Sequence, residues 1–293
     1  MIEKQYLKFD IVFALLLIIL VSVFIKKITY KQKINTYRIY YDDINQKILN
    51  EMANYNINIV ESLFFNKENV NYLHNNNSKV IGYISLIEIG PWDNDIIDQL
   101  DEEDYLKDKN NNKLKSLDNS NFLGDLSSKH FRDVLINVIN KRIIDKEMDG
   151  IFFDTLDWID YYKDNNYLYE KLITGYEQLL KEIKLKNPNI ILFQNRGFES
   201  YFSFSKKYIS SILWENFISP YINNKKSKIY TYKKLKRYAK IYKTDVYIIS
   251  FTNDYINRII AKKNNWNYLY SQMDDRYSKW DIKVKWRDDK ISI

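Results

Sequence analysis

Residues 149–157 read DGIFFDTLD, and this stretch carries the first decision about the fold. Asp149-Gly150 is a turn signal. Ile151-Phe152-Phe153 is a short unbroken apolar run, as expected of a strand buried on both faces in a parallel sheet. Asp154 follows that run directly, and Asp157 comes one helical turn later. A carboxylate at the end of a buried strand is costly to hold unless water, a proton or a substrate relieves it. The stretch therefore predicts a buried parallel strand that delivers an acid at its carboxyl end.

The same logic extends in both directions. Upstream, Ser127 and Ser128 open a helix in which Phe131, Val134, Leu135, Val138, Ile139 and Ile143 recur at helical spacing. Downstream, residues 167–186 form a helix that Asn187-Pro188 stops. Further strands are expected over 36–41, 57–61, 79–86, 189–193, 209–214, 246–251 and 267–271. Further helices are expected over 44–54, 232–242 and 256–263. Eight strands that alternate with helices predict an α/β protein, a (β/α)₈ TIM barrel. The roughly 255 residues that follow the N-terminal segment match the ~250 typical of one such barrel. An open doubly wound sheet is the alternative, but no glycine-rich phosphate loop follows any strand, and the whole chain has 6 glycines. Residues 90–125, rich in Asp and Asn, exceed an ordinary βα loop and are expected to be functional or disordered.

The N-terminus has a different character. Residues 11–25 read IVFALLLIILVSVFI, apolar except for Ser22, with Lys26 and Lys27 behind them. The run is intermediate between a signal-peptide core and a full ~20-residue span. It is expected to be an uncleaved signal anchor or transmembrane helix, with a cleaved signal as the alternative. The domains are then 1–34, anchor and juxtamembrane segment, and 35–293, barrel. The lysines after the run favour a cytoplasmic barrel by the positive-inside rule. The chemistry below favours an extracytoplasmic one, and that placement is the expectation.

Composition removes several function classes. The chain has no cysteine and 2 histidines, His74 and His130. Disulfides, thiol nucleophiles and thiolate metal sites are excluded, and a His-based zinc site or a Ser-His-Asp triad has little to work with. No metal or organic cofactor is expected. The net charge is +7, and many positive charges cluster at Lys225, Lys226, Lys228, Lys233, Lys234, Lys236 and Arg237. Such a run can bind an anionic polymer, but it carries no nucleic-acid motif, and a solvated helix face explains it more simply. No nucleic-acid partner is expected.

In a barrel, the carboxyl ends of the strands converge on one mouth. Here they bring Glu88 after strand three, Asp154 and Asp157 after strand four, and Gln194-Asn195 after strand five. Glu215-Asn216 follow strand six, and Asn253-Asp254 follow strand seven. An isolated Asp such as Asp157 or Asp254 is commonly a helix cap. Asp154 and Glu215 differ, because each follows a buried-looking run directly and at the same register. Glycoside hydrolysis needs such a pair. One carboxyl protonates the leaving oxygen, and the other attacks the anomeric carbon or activates water. Trp92, Trp158 and Tyr161 lie in strand-end loops and could stack on sugar rings.

The segments VIGYISLIEIG, DGIFFDTLDWID, ILFQNRGFE and ILWENF, in that order, resemble the strand-three to strand-six motifs of glycoside hydrolase family 114, the endo-α-1,4-polygalactosaminidase-like barrels. The likeness of layout extends over residues 36–275. The family's strand-three motif usually reads Gly-Glu, where this chain has Ile87-Glu88. The resemblance implies that Asp154 is the nucleophile and Glu215 the acid/base, and that Glu88, Asp157 and Asn195 are further cleft residues. With Asp254, Trp92, Trp158 and Tyr161 they make up the expected substrate-binding set. The implied partner is a polysaccharide, with an amino-sugar polymer as the expectation. A membrane-anchored glycan-binding barrel without turnover is the alternative.

Overall fold

The computed structural model describes residues 37–222, 226–252, 254–271 and 277–278. Eight parallel strands form one sheet in chain order: β1 Tyr37–Tyr40, β2 Ile57–Val60, β3 Lys79–Ser85, β4 Gly150–Asp154, β5 Ile191–Asn195, β6 Ser211–Trp214, β7 Asp245–Ser250 and β8 Asn267–Tyr270. Each strand pairs with the next, and β1 comes back against β8, so the sheet curls into a barrel. The helices between strands are α1 Gln46–Met52, α2 Lys67–Asn75, α3 Lys129–Ile139, α4 Asn166–Lys186, α5 Phe198–Ser203, α6 Lys226–Tyr242 and α7 Asp254–Asn264.

Two apolar layers hold this arrangement. Ile39, Ile59, Ile81, Phe152, Phe193, Leu213, Ile249 and Leu269 pack together inside the barrel. Val60, Val80, Ile84, Ile151, Phe153, Leu192, Ile212 and Ile248 belong to the outer layer, with the helices. The division follows the two-residue alternation of a strand. That alternation also fixes the site. Asp154, Asn195 and Glu215 each lie two positions beyond an inward residue, Phe152, Phe193 and Leu213, and so share their face.

All eight expected strands are present, with ends shifted by one or two residues. Ser128 caps α3, its hydroxyl accepting from the Phe131 N–H at 3.2 Å. Among the helices that hydrophobic spacing does not predict is α2, whose Asn66/Asn69 capping box substitutes for a strong apolar stripe. The short α5 and the five-residue helix at Asp157–Tyr161 are others. Helix α6 begins earlier than expected because its first turns are lysine-rich. Its buried residues are Tyr232, Leu235 and Ala239, while Lys233, Lys236 and Arg237 face solvent. The basic run is thus largely a solvated helix face; Lys225 lies outside the described residues.

The long polar stretch is ordered. Glu88–Ile89 pairs antiparallel with Phe122–Leu123, enclosing a helical turn at Asn94–Ile97. The apolar run at 11–25 lies outside the described residues. Among the described residues no helix is long and apolar enough to cross a membrane.

Helix α4 seats against the segment that leads into α3 at Gly175, where an added Cβ would collide with the backbone of Leu126 and Ser127. Backbone cannot swing aside as a side chain can. Gly175→Ala should cost about 1–3 kcal/mol of stability through overpacking, seen as a Tm lowered by several degrees. An unchanged Tm would contradict this packing.

Candidate active site

Strands β4, β5 and β6 end alike. Each presents a polar residue on the inner face, and the next residue has left-handed backbone: Thr155 at φ 65°, Arg196 at φ 48° and Asn216 at φ 49°. This conformation is uncommon outside glycine, and rarest for a β-branched residue such as threonine. Thr155 is held there by its hydroxyl, which accepts from the N–H groups of Ile87 at 3.0 Å and Glu88 at 3.2 Å and donates to the Asp154 carbonyl at 2.7 Å. The repeated left-handed step turns the chain sharply after Asp154, Asn195 and Glu215.

Those three side chains meet. The Asn195 Nδ2 donates to Asp154 Oδ1 at 2.8 Å and to Glu215 Oε2 at 2.9 Å. Two acceptors on one nitrogen can be no further apart than the two bonds laid end to end. The nearest carboxyl oxygens therefore approach more closely than the ~6.5 Å at which inverting pairs begin. The Asn195 Oδ1 is buried without a partner. Two carboxylates alone orient this amide, since the reversed amide would set an acceptor against both.

A tyrosine attends each acid. Tyr83 on β3 lies beside Asp154, whose charge adds to the effect of burial on its phenol. Tyr277, beyond β8 in sequence, donates to Glu215 Oε1 at 2.7 Å. Tyr41 lies between them, its ring 4.7 Å from Tyr83 and 5.5 Å from Tyr277. Burial above all, and then the neighbouring charge, pushes the phenols of Tyr41, Tyr83 and Tyr277 well above their ordinary value near 10. They keep their protons at any working pH. Burial first, and then the facing Glu215 carboxylate, pushes Asp154 up to about 6; the Asn195 amide and the Thr155 N–H oppose the shift.

Glu88 stands beside this pair. Its Oε1 accepts from Trp158 Nε1 at 2.7 Å and its Oε2 from Asn121 Nδ2 at 2.9 Å. Together with Asp157, Trp158 and Tyr161 it lines a hollow of about 280 Å³, completed by Ser116, Leu117 and Asp118. The hollow is tied to Asp154 through Thr155. Trp158 is buried while Tyr161 is 57% exposed, and their rings meet edge to face at 5.0 Å. Asp157 pairs with Arg196 at 3.1 Å.

One expected residue is not placed with this group. Trp92 lines a different hollow with Leu63, Asn94, Asp95, Lys141, Arg142 and Lys146. The cause is the turn before it. Asp93 accepts from the Gly90 N–H at 3.2 Å, and Asp93 and Asp95 both pair with Arg142, which draws the loop away. Asp254 opens α7, and its side chain lies outside the described residues.

The sequence reading missed Tyr41, Tyr83, Tyr277 and the segment 116–121. Tyr41 and Tyr83 had a signal, because each lies two residues past an inward isoleucine. Tyr277 had none, since no strand carries it. One possible cation-binding group occurs among the described residues: ligand atoms of Asp101, Asp104 and His130 lie within 4.8 Å of one another. Asp104 is already satisfied there by Ser128, His130 and the Asp101 N–H, an arrangement that secures the start of α3.

A parallel eight-stranded barrel with two carboxyl groups crowded at its carboxyl end has the parts that glycoside hydrolysis requires. The chain belongs to glycoside-hydrolase family GH114, whose family model matches residues 29–281, and it is a glycosidase of the polygalactosaminidase-like class. Its fold is similar to that of the glycoside hydrolase domain of PelA from Pseudomonas aeruginosa. The TM-score is 0.64 at 15% identity, over 80% of this chain and 94% of that one. It is similar also to Ega3 of Aspergillus fumigatus, solved in complex with galactosamine, with TM-score 0.58 at 16% identity, over 81% and 90%. A maltogenic α-amylase, AmyB from Thermotoga neapolitana, shares the barrel at TM-score 0.54 and 12% identity, over 87% and 74%. No curated protein sequence matches the chain.

Proposed function

We propose that this glycosidase cleaves an extracytoplasmic amino-sugar polysaccharide with retention of configuration, Asp154 acting as nucleophile and Glu215 as acid/base. The observation that carries the reading is the single Asn195 amide nitrogen donating to both carboxylates. Such closeness suits the ~5–5.5 Å retaining arrangement and leaves no room for a water between the acids. In the first step Asp154 forms a bond to the anomeric carbon. The glycosidic C–O bond breaks, and the Glu215 proton goes to the departing oxygen. In the second step Glu215 takes a proton from water, whose oxygen attacks the same carbon and releases Asp154.

The adjoining hollow suits a cationic sugar. Three of its lining residues, Glu88, Asp118 and Asp157, are acidic, none of the lining is Lys or Arg, and the exposed ring of Tyr161 offers an aromatic face. Hydrogen bonds from Ser116 and Ser120 hold the Asp118 carboxyl down at about 2, so it stays charged. Galactosamine, bound by the similar Ega3, has the matching charge. The apolar run at 11–25 would tether the barrel to the membrane with the catalytic domain outside.

The test is incubation of residues 35–293 with a panel of polysaccharides, deacetylated and N-acetylated galactosamine polymers among them. Release of reducing oligosaccharides from the deacetylated polymer is expected. Turnover of neutral polymers alone would remove the amino-sugar reading.

The acid side of the pH profile follows from Asp154. A nucleophile must be ionised, and burial, the largest cause, raises the Asp154 carboxyl above the ordinary range whatever the charge on Glu215. As pH falls through that raised value Asp154 takes up a proton, and kcat/KM should fall about tenfold per pH unit below it. A profile flat down to pH ~4, the range of an ordinary carboxyl, would show that Asp154 does not act in this way.

A further inference from the structure

Tyr277 contacts the acid pair from beyond the last barrel strand in the sequence. Its hydroxyl donates to Glu215 Oε1 at 2.7 Å, while Asn195 occupies Oε2. Three contacts fix the tyrosine itself. Its carbonyl accepts the Tyr41 N–H at 3.0 Å, just past the end of β1. Its ring packs against Tyr41 at 5.5 Å and Phe251 at 6.4 Å. It is 8% exposed and belongs to the barrel's inner apolar group. A residue from beyond the last strand thus closes the barrel near the β1 and β7 ends and reaches the carboxyl group opposite.

We infer that Tyr277 is a positioning residue for the reaction, holding the Glu215 carboxyl in the orientation from which it passes its proton to the leaving oxygen. The inference rests on the acid/base role proposed for Glu215. A glutamate has two free torsions before its carboxyl, and Asn195 restrains only one oxygen. With Tyr277 on the other, both are engaged and the carboxyl plane is set. Tyr83 lies beside Asp154. The two phenols are thus placed at different members of the pair, Tyr277 at the proton donor and Tyr83 at the nucleophile.

That division yields a test that a merely structural role would not pass. Tyr277→Phe and Tyr83→Phe each delete one hydroxyl and keep the ring. Both would be assayed beside Glu215→Gln on an α-linked galactosamine oligosaccharide and on its dinitrophenyl glycoside, with a thermal melt of each variant. The natural leaving group needs a proton, and dinitrophenolate does not. Tyr277→Phe should lower kcat on the oligosaccharide roughly 10–100-fold, the loss expected for one hydrogen bond to a charged group, with KM little changed. On the dinitrophenyl glycoside the first step alone is free of Glu215, and there the loss, read as the rate of dinitrophenolate release in the first turnover, should stay below about threefold, the effect of an uninvolved side chain. Tyr83→Phe should slow both substrates alike. Equal losses on the two substrates for Tyr277→Phe, with Glu215→Gln still discriminating between them, would overturn the inference and leave Glu215 as acid/base. If Glu215→Gln also fails to discriminate, the role of Glu215 falls and that of Tyr277 falls with it.

Discussion

Asp154→Asn should abolish turnover on every substrate that the unaltered domain cleaves, with kcat down on the order of 10⁴-fold or more. The substitution is nearly isosteric, and the Asn195 amide and the Thr155 turn remain to hold the side chain in place. What disappears is the group proposed to form the bond to the anomeric carbon. An amide oxygen is a poor nucleophile, and no leaving group is good enough to compensate, so activated glycosides should fail along with polymers. Relief of the buried charge facing Glu215 should leave folding unharmed or slightly improved. Steady-state kinetics on both substrate types, with a melt of the variant, is the check. Activity near the unaltered level on either substrate would remove Asp154 from the reaction.

Glu215→Gln should give a different pattern. General-acid assistance contributes typically 10²–10⁴-fold, and that factor should be lost on polymer, whose sugar leaving group must be protonated. A dinitrophenyl glycoside should form the glycosyl-enzyme at near the unaltered rate. The intermediate should then persist, because its hydrolysis needs Glu215 as base. A burst of dinitrophenolate followed by slow turnover is the expected trace. Azide, which attacks without losing a proton, should restore the second step. Glu215→Gln with an equal loss on both substrates and no burst would contradict the division of labour.

Much of this architecture is legible in the amino-acid sequence. The alternation of apolar runs with helical spacing locates all eight strands, because strands buried on both faces leave little choice of residue. The strand-end register selects Asp154, Asn195 and Glu215 through the same two-residue alternation that fills the barrel with Phe152, Phe193 and Leu213. The surroundings were less legible, for identifiable reasons. Tyr41 and Tyr83 continue inward rows that a residue-by-residue search for acids passes over. Tyr277 reaches Glu215 from outside the strand pattern, and only the folded chain reveals it. Trp92 follows Glu88 closely in sequence, yet the Asp93 and Asp95 pairing with Arg142 turns it toward another hollow. Loop direction is set by such long-range pairs and not by local spacing.

The most direct test of the proposed chemistry is the intact mass of Glu215→Gln during reaction with the dinitrophenyl glycoside, followed by peptide mapping. A protein heavier by one glycosyl unit is expected, with the added mass on the peptide that carries Asp154. The same mass on another carboxyl, or no adduct while product of inverted configuration accumulates, would contradict the account.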